Sequence, residues 1–375
     1  MTVTLRVMLD QVVAPTDHRL AEASAELARS LVVAAPAGCE VEAVVPSGPA
    51  QDLDTLLAGV ARVQRAGLPR RELSAALQLG LPSGAGAGMI HAPSLFAPLV
   101  RHSRVHDHDQ TVVTVWDLRA WEAPDELGRT ETAWQRAMLK RAVKHADAVV
   151  VPTHSMAERL AELGPLADRL RVIPGAAPTG FAVPSDEIGR RRAAGLPEGY
   201  VLLSGGTAPS DGLAEGFAAV VRSRVDLPVV VIDAGAGEEP AIADLAAAEG
   251  LPERRLHVRG ALDMWDRGAV FGGAVTFLAP SARTAFPWRV LDALTLGVPV
   301  VAVESSVHRE VVVEGGLLVQ ADASGSAADG LGAALAAALG STQSAERLAV
   351  LASDRGRAFS WRDCADRVWH LHADL

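Results

Sequence analysis

With 375 residues, 49% of them hydrophobic, the chain can fill two cores, and its length favours two domains over one. A net charge of −10 with no long basic run speaks against a nucleic-acid ligand. Cys39 and Cys364 are too few and too far apart for a disulfide framework or a zinc site. Met1 to Asp10 lacks a charged-then-apolar leader and no apolar run reaches membrane-spanning length, so the expectation is a cytoplasmic, soluble chain, with peripheral contact at the inner face of the membrane left open.

Leu5 to Leu9 reads as a short apolar strand and Leu20 to Val33 as an amphipathic helix; the loop between them, Asp10 to Arg19, contains no glycine. Val41 to Val45 is the next expected strand, Leu53 to Val63 a helix and Leu73 to Leu79 another. The cluster Gly84 to Gly88 lacks the Lys-Ser or Lys-Thr of a phosphate loop and precedes a strand, so a flexible loop is expected. His102, His106 and His108 stand beside Asp107 and Asp109, but their spacing suits no helical metal pair, and a solvated loop is favoured over a metal site. Thr111 to Val115 is a buried strand that runs into Trp116 and Asp117. The helix Thr130 to His145 carries Arg136, Lys140 and Lys144 at four-residue spacing. This stripe reads as a solvated face paired with Glu131 and Asp147, or as a surface for anionic lipid. Ala148 to Val151 is a strand, Met156 to Leu163 a helix, and the proline- and glycine-rich Pro174 to Asp186 a linker.

The second half repeats the alternation. Strands are expected at Tyr200 to Ser204, Pro228 to Ala234, Leu256 to Gly260 and Val275 to Leu278. Helices are expected at Leu213 to Val221, Ala241 to Glu249, Ala327 to Leu339 and Ala345 to Phe359. The stretch Leu278 to Val303 organises this half: strand end, turn, a helix Arg289 to Leu296 stopped by Gly297, then a β-branched strand from Val298. In parallel sheets ligands collect at the carboxyl ends of strands and at helix N-termini, which places the loop Ser281 to Trp288 at a ligand.

Pro280-Ser281, Phe286, Val290-Leu291, Ala293-Leu294 and Gly297 to Val301 resemble the sugar-nucleotide segment of family 4 retaining glycosyltransferases, roughly PSxxEGFGLPxLEAMAxGxPVV. Arg171 to Gly175 and His91-Ala-Pro-Ser94 resemble further segments of that family, and the likeness covers nearly the whole chain. It implies the GT-B architecture, α/β, with two Rossmann-like, doubly wound parallel-sheet domains facing across a cleft. Residues 1–178 would form the acceptor side, 179–358 the nucleotide-sugar side, and 359–375 a helix crossing back to the first domain.

The chemical positions depart from the pattern. The family's first glutamate falls on Thr284 and its second, a ribose ligand, on Asp292. Its histidine before the aspartate Asp117 falls on Trp116, and the arginine and lysine that hold the diphosphate fall on Ser210 and Asp211, after Gly205 and Gly206. At ~4 Å and an effective dielectric near 20 one charge contact is worth roughly 4 kcal/mol, and exchanging lysine for aspartate reverses its sign. Arg283 and Arg289 are the cations nearest in sequence to replace them, and Asp292 could equally pair with Arg289 on one helix.

The resemblance implies transfer of a hexose from a UDP- or GDP-sugar to an envelope or secondary-metabolite acceptor with retention, without a cofactor or metal. Trp116, Asp117 and Thr284 stand at the catalytic positions, and Gly205, Gly206, Ser210, Asp211, Arg283, Phe286, Arg289 and Asp292 at the donor-binding ones. The alternative is a degenerate fold that pairs with an active paralogue; a homodimer is a further expectation.

Overall fold

The computed structural model describes residues 2–48, 53, 57–82, 84–103 and 108–375. They form two compact units, one of Met1–Thr179 with Ser360–Leu375 and one of Gly180–Phe359.

The first unit is built on a seven-stranded parallel sheet of β1 (Val3–Met8), β2 (Cys39–Ser47), β3 (Arg62–Pro69), β4 (Met89–Ala92), β5 (Gln110–Thr114), β6 (Ala148–Val151) and β7 (Leu170–Val172), in the order β3-β2-β1-β4-β5-β6-β7. Leu5 lies opposite Val41 on one side and Met89 on the other, so the order reverses at β1 and β4. Strands this apolar must be covered on both faces, and helices do so: β6, Ala-Val-Val-Val, is buried at every residue. Asp17 caps the helix His18–Val33 through the N–H groups of Arg19 and Leu20. The last helix, Trp361–Asp374, packs on that helix, and the Trp369 indole donates to Leu31 O at 3.0 Å.

The second unit carries six parallel strands, β8 (Tyr200–Ser204), β9 (Val229–Ile232), β10 (Leu256–Val258), β11 (Ala274–Ala279), β12 (Val300–Val303) and β13 (Gly316–Val319), ordered β10-β9-β8-β11-β12-β13. Here the order reverses between β8 and β11, the kind of switch point where open α/β sheets bind ligands. The helix expected from Arg289 spans Trp288–Thr295, and the one expected from Ala345 begins at Thr342, where Ser341 caps it.

One expectation of local structure needs correction. Val63 does not end a helix; it lies in β3, and residues 54–56 of that expected helix are outside the described residues. The segment RVQRAGLP is an edge strand with Ala66 its one buried residue, so it lacks the apolar run by which central strands are read. The four-residue strand β13 and the short helix Glu187–Ala193 are elements to which the sequence reading assigned nothing.

Candidate functional site

In the second unit, β8 ends at Ser204 and the chain turns through Gly205, at φ 139°, Gly206 and a single 3-10 turn, Pro209–Asp211. Gly212, at φ 74°, then opens the helix Leu213–Ser223. A Cβ on Gly212 would stand 3.0 Å from the backbone carbonyl of Pro280, so glycine is what lets this loop touch the one after β11. Ser281 Oγ ties the two together by donating to Ser210 O at 2.8 Å. Arg283 reaches across them, its Nη1 3.1 Å from Asp211 Oδ1 and 3.5 Å from Ser210 Oγ. The other carboxylate oxygen of Asp211 accepts the Gly206 N–H at 2.8 Å.

A second carboxylate, Glu238, frames the same loop. It accepts Thr207 Oγ1 at 2.6 Å and the Gly235 N–H at 2.8 Å, and these bonds hold its pKa below the usual glutamate range. Beneath the loop lies a buried ionic network. Arg289 binds both oxygens of Asp233, at 2.7 and 3.1 Å, and Asp292 at 2.8 Å; Arg267 lies 3.0 Å from Asp292 and stacks over the Phe181 ring at 5.1 Å. Ser204 Oγ donates to Asp233, which holds φ 64°, a left-handed conformation that aspartate tolerates better than most residues. Phe286, 4% exposed, meets Trp288 edge-on at 4.7 Å, and Thr284 sits half-buried between Arg283 and this aromatic pair in sequence.

In the first unit the carboxyl ends of β1, β4 and β5 enclose a cavity of about 110 Å³, lined in part by Gln11, Ser94, Trp116, Asp117, Trp134 and Gln135. Asp10, 2% exposed, accepts from Arg70 at 2.9 Å, Gln11 at 2.7 Å and Ser94 at 3.3 Å. Burial raises its pKa, while Arg70 acts in the opposite sense. The Trp116 indole donates to Pro93 O at 2.9 Å and its ring meets Trp361 at 6.4 Å; Asp117 accepts from the backbone of Arg119.

The model for Glycosyltransferase Family 4 matches residues 24–180 and that for Glycosyl transferases group 1 matches residues 201–337. The chain belongs to the GT-B glycosyltransferases. No curated protein matches this glycosyltransferase by sequence. Its fold is similar to that of a sucrose-phosphate synthase from Thermosynechococcus elongatus (TM-score 0.71, 19% identity, 100% of this chain and 99% of that one). It is also similar to Anabaena HepE in complex with UDP and glucose (0.72, 17%, 100% and 100%). A third is WaaG, a glycosyltransferase involved in lipopolysaccharide biosynthesis (0.68, 14%, 98% and 99%). At these identities the likeness speaks for the fold.

Of the two replacement cations considered from the sequence of the glycosyltransferase, Arg283 lies on the glycine loop, whereas Arg289 is 5% exposed and spent on Asp233 and Asp292. Asp292, 1% exposed, takes the pairing with Arg289. Gly205, Gly206, Ser210, Asp211 and Arg283 come together at the end of β8. Trp116 and Asp117 belong to the first unit's cavity. Asp10, Asp233, Glu238 and Arg267 went unnoticed in the sequence; three of them could have been found as charged residues at the ends of apolar strands or at apolar helix positions.

His91 is fully buried: its Nε2 lies 3.4 Å from Thr114 Oγ1 and its Nδ1 3.3 Å from Nε2 of His372. The described residues 101–103 and 108–109 form loop, as expected, with His108 exposed, but the His102 side chain turns inward to bond Asp147 at 2.7 Å; His106 and Asp107 lie outside the described residues. Asp147 is thereby engaged and Glu131 accepts from Gln135 at 2.8 Å; Arg136 donates to Ala120 O at 2.9 Å, and Lys140 and Lys144 are exposed. Among the described residues no group of three or more acidic, histidine or cysteine side chains could hold a metal, and no helix is long and apolar enough to cross a membrane.

Proposed function

We propose that this glycosyltransferase moves a hexose from a UDP- or GDP-sugar to an envelope or secondary-metabolite acceptor, with retention and without a metal. The observation that carries this reading is the loop at the end of β8, where the Gly206 N–H already holds an anion beside the Arg283 guanidinium. A departing diphosphate gains charge in the transition state, and backbone N–H groups with a guanidinium are the donors that stabilise it. The UDP and glucose bound by HepE, a protein of the same fold, support a nucleotide-sugar donor. In the second unit, on this reading, Gly205, Gly206, Ser210 and Arg283 contact the diphosphate, with Thr284 toward the sugar. Phe286, Arg289 and Asp292 hold the loop from below. Asp10, Trp116 and Asp117 border the acceptor, and the exposed Lys140 and Lys144 meet an anionic membrane face. Titration calorimetry with UDP, GDP, ADP, UDP-glucose and GDP-mannose, with and without magnesium, tests the donor: micromolar binding of one nucleotide is expected, unchanged by magnesium. Binding of none at millimolar ligand overturns the reading.

The reversed charge at Asp211 favours a second reading, a catalytically silent subunit of an active glycosyltransferase. Co-purification with a motif-complete paralogue would support it, and turnover by the isolated chain would exclude it.

A further inference from the structure

The glycine loop is occupied by the chain itself. Asp211 presents one carboxylate oxygen to the Gly206 N–H and the other to Arg283, which are the two donor types a phosphate oxygen seeks at the end of a strand. The fit is close: a Cβ on Gly205 would lie 2.9 Å from the Asp211 Cβ, so the aspartate seats against backbone that only glycine leaves open. We propose that Asp211 is a resident anion which a donor phosphate must displace from Gly206 and Arg283, and that it thereby sets the threshold for what the loop accepts. The inference rests on the donor reading above.

Three features allow the exchange. Asp211 closes a single 3-10 turn between extended Ala208 and left-handed Gly212, a turn whose own backbone hydrogen bonds are Asp211 N–H to Ala208 O at 2.9 Å and Gly212 N–H to Pro209 O at 3.1 Å. Its side chain is 15% exposed and that of Arg283 14%, so solvent and ligand reach both. Asp211 and Glu238 against Arg283 leave the loop one net negative charge, which repels an incoming anion until the carboxylate yields its place. A phosphate without further contacts cannot pay that displacement, whereas a nucleoside diphosphate brings base and ribose contacts as well.

The test is calorimetric titration of the full-length wild type, Asp211→Asn and Asp211→Asn/Arg283→Ala with UDP, GDP, ADP and pyrophosphate at low salt, with thermal melting to confirm the fold of each. Asparagine still accepts the Gly206 N–H but carries no charge and releases Arg283. The single variant should bind the preferred nucleotide about tenfold more tightly than wild type, and pyrophosphate should become measurable. The double variant should lose the gain, and Asp211→Ser should reproduce it. Equal or weaker binding by Asp211→Asn overturns the proposal. If the wild type nonetheless binds a nucleotide, the donor reading stands; if no form binds any, both fall.

Discussion

Arg289 and Asp233 meet through two hydrogen bonds, Nε to Oδ2 at 2.7 Å and Nη2 to Oδ1 at 3.1 Å, with both side chains 5% exposed or less. The pair joins the end of β9 to the helix Trp288–Thr295, and Asp292 and Arg267 extend it into a four-member network of balanced charge. Balance is what makes such burial tolerable, because each ion's lost hydration is offset by its partners.

Removing one carboxylate from that network should therefore be severe. Asp233→Ala leaves two buried arginines sharing Asp292, with an expected loss of about 3–5 kcal/mol, read as a lower denaturant midpoint. Asp233→Asn, which keeps the shape and the tolerance for positive φ, should lose less. An unchanged midpoint for Asp233→Ala would mean that the ion pairs contribute nothing net.

The C-terminal helix should loosen in acid. Thr114 donates to His91 Nε2, His91 Nδ1–H to His372 Nε2, and His372 Nδ1–H to Gln110, an order the carbonyl acceptor at its end dictates. Both imidazoles are neutral in this chain: burial lowers the pKa of His91 well below 6.5, and that of His372 to about 4. The unfolded chain takes up protons near pH 6.5 that the folded one refuses, so stability is full above that pH and falls as pH drops toward 4. For His372 alone the loss amounts to something on the order of 3 kcal/mol. Unfolding at pH 7.5, 6 and 5 should show the slope, and His372→Gln should reduce it, the remainder belonging to His91 and to buried His308, whose pKa burial also lowers. A slope that this substitution leaves undiminished would assign the acid sensitivity away from His372.

Much of the fold is legible in the sequence because its central strands are β-branched runs, such as Val229–Ile232, set among glycine stops and capped helices. The edge strand β3 is not, since exposure removes the apolar signal. At the site, a sequence shows which charges are present but not how they pair. Arg283 and Arg289 are equivalent as nearby cations until the topology brings Asp233, 56 residues from Arg289, to the end of β9, two strands from β11. The same holds for His91 and His372, which are separated by 281 residues and meet only because the last helix packs on the first unit.

Trp116 separates packing from sugar contact. It is 8% exposed and its indole N–H is committed to Pro93 O. Trp116→Phe keeps an aromatic face but strips that carbonyl of its donor, for an expected loss of about 1–3 kcal/mol with acceptor KM unchanged. Trp116→Ala should lose about 3–5 kcal/mol through the cavity it leaves. Should Trp116→Phe instead raise acceptor KM at unchanged stability, the ring's role is contact with the sugar and not support of the fold.

Gly212 couples the two loops of the proposed donor site, and two separate penalties act on any side chain there. Its φ of 74° disfavours an L-residue, and a Cβ would press on the Pro280 carbonyl at 3.0 Å, which as backbone cannot swing aside. Gly250, at φ 84° with nothing within 4 Å of its virtual Cβ, carries the first penalty alone. Gly250→Ala should lose about 1 kcal/mol and leave nucleotide titration untouched. Gly212→Ala should lose about 2–4 kcal/mol and weaken nucleotide binding, because Ser281 and Arg283 move away from Ser210 and Asp211 together. Equal losses in the two variants, with nucleotide binding intact, would show that the loops are positioned independently.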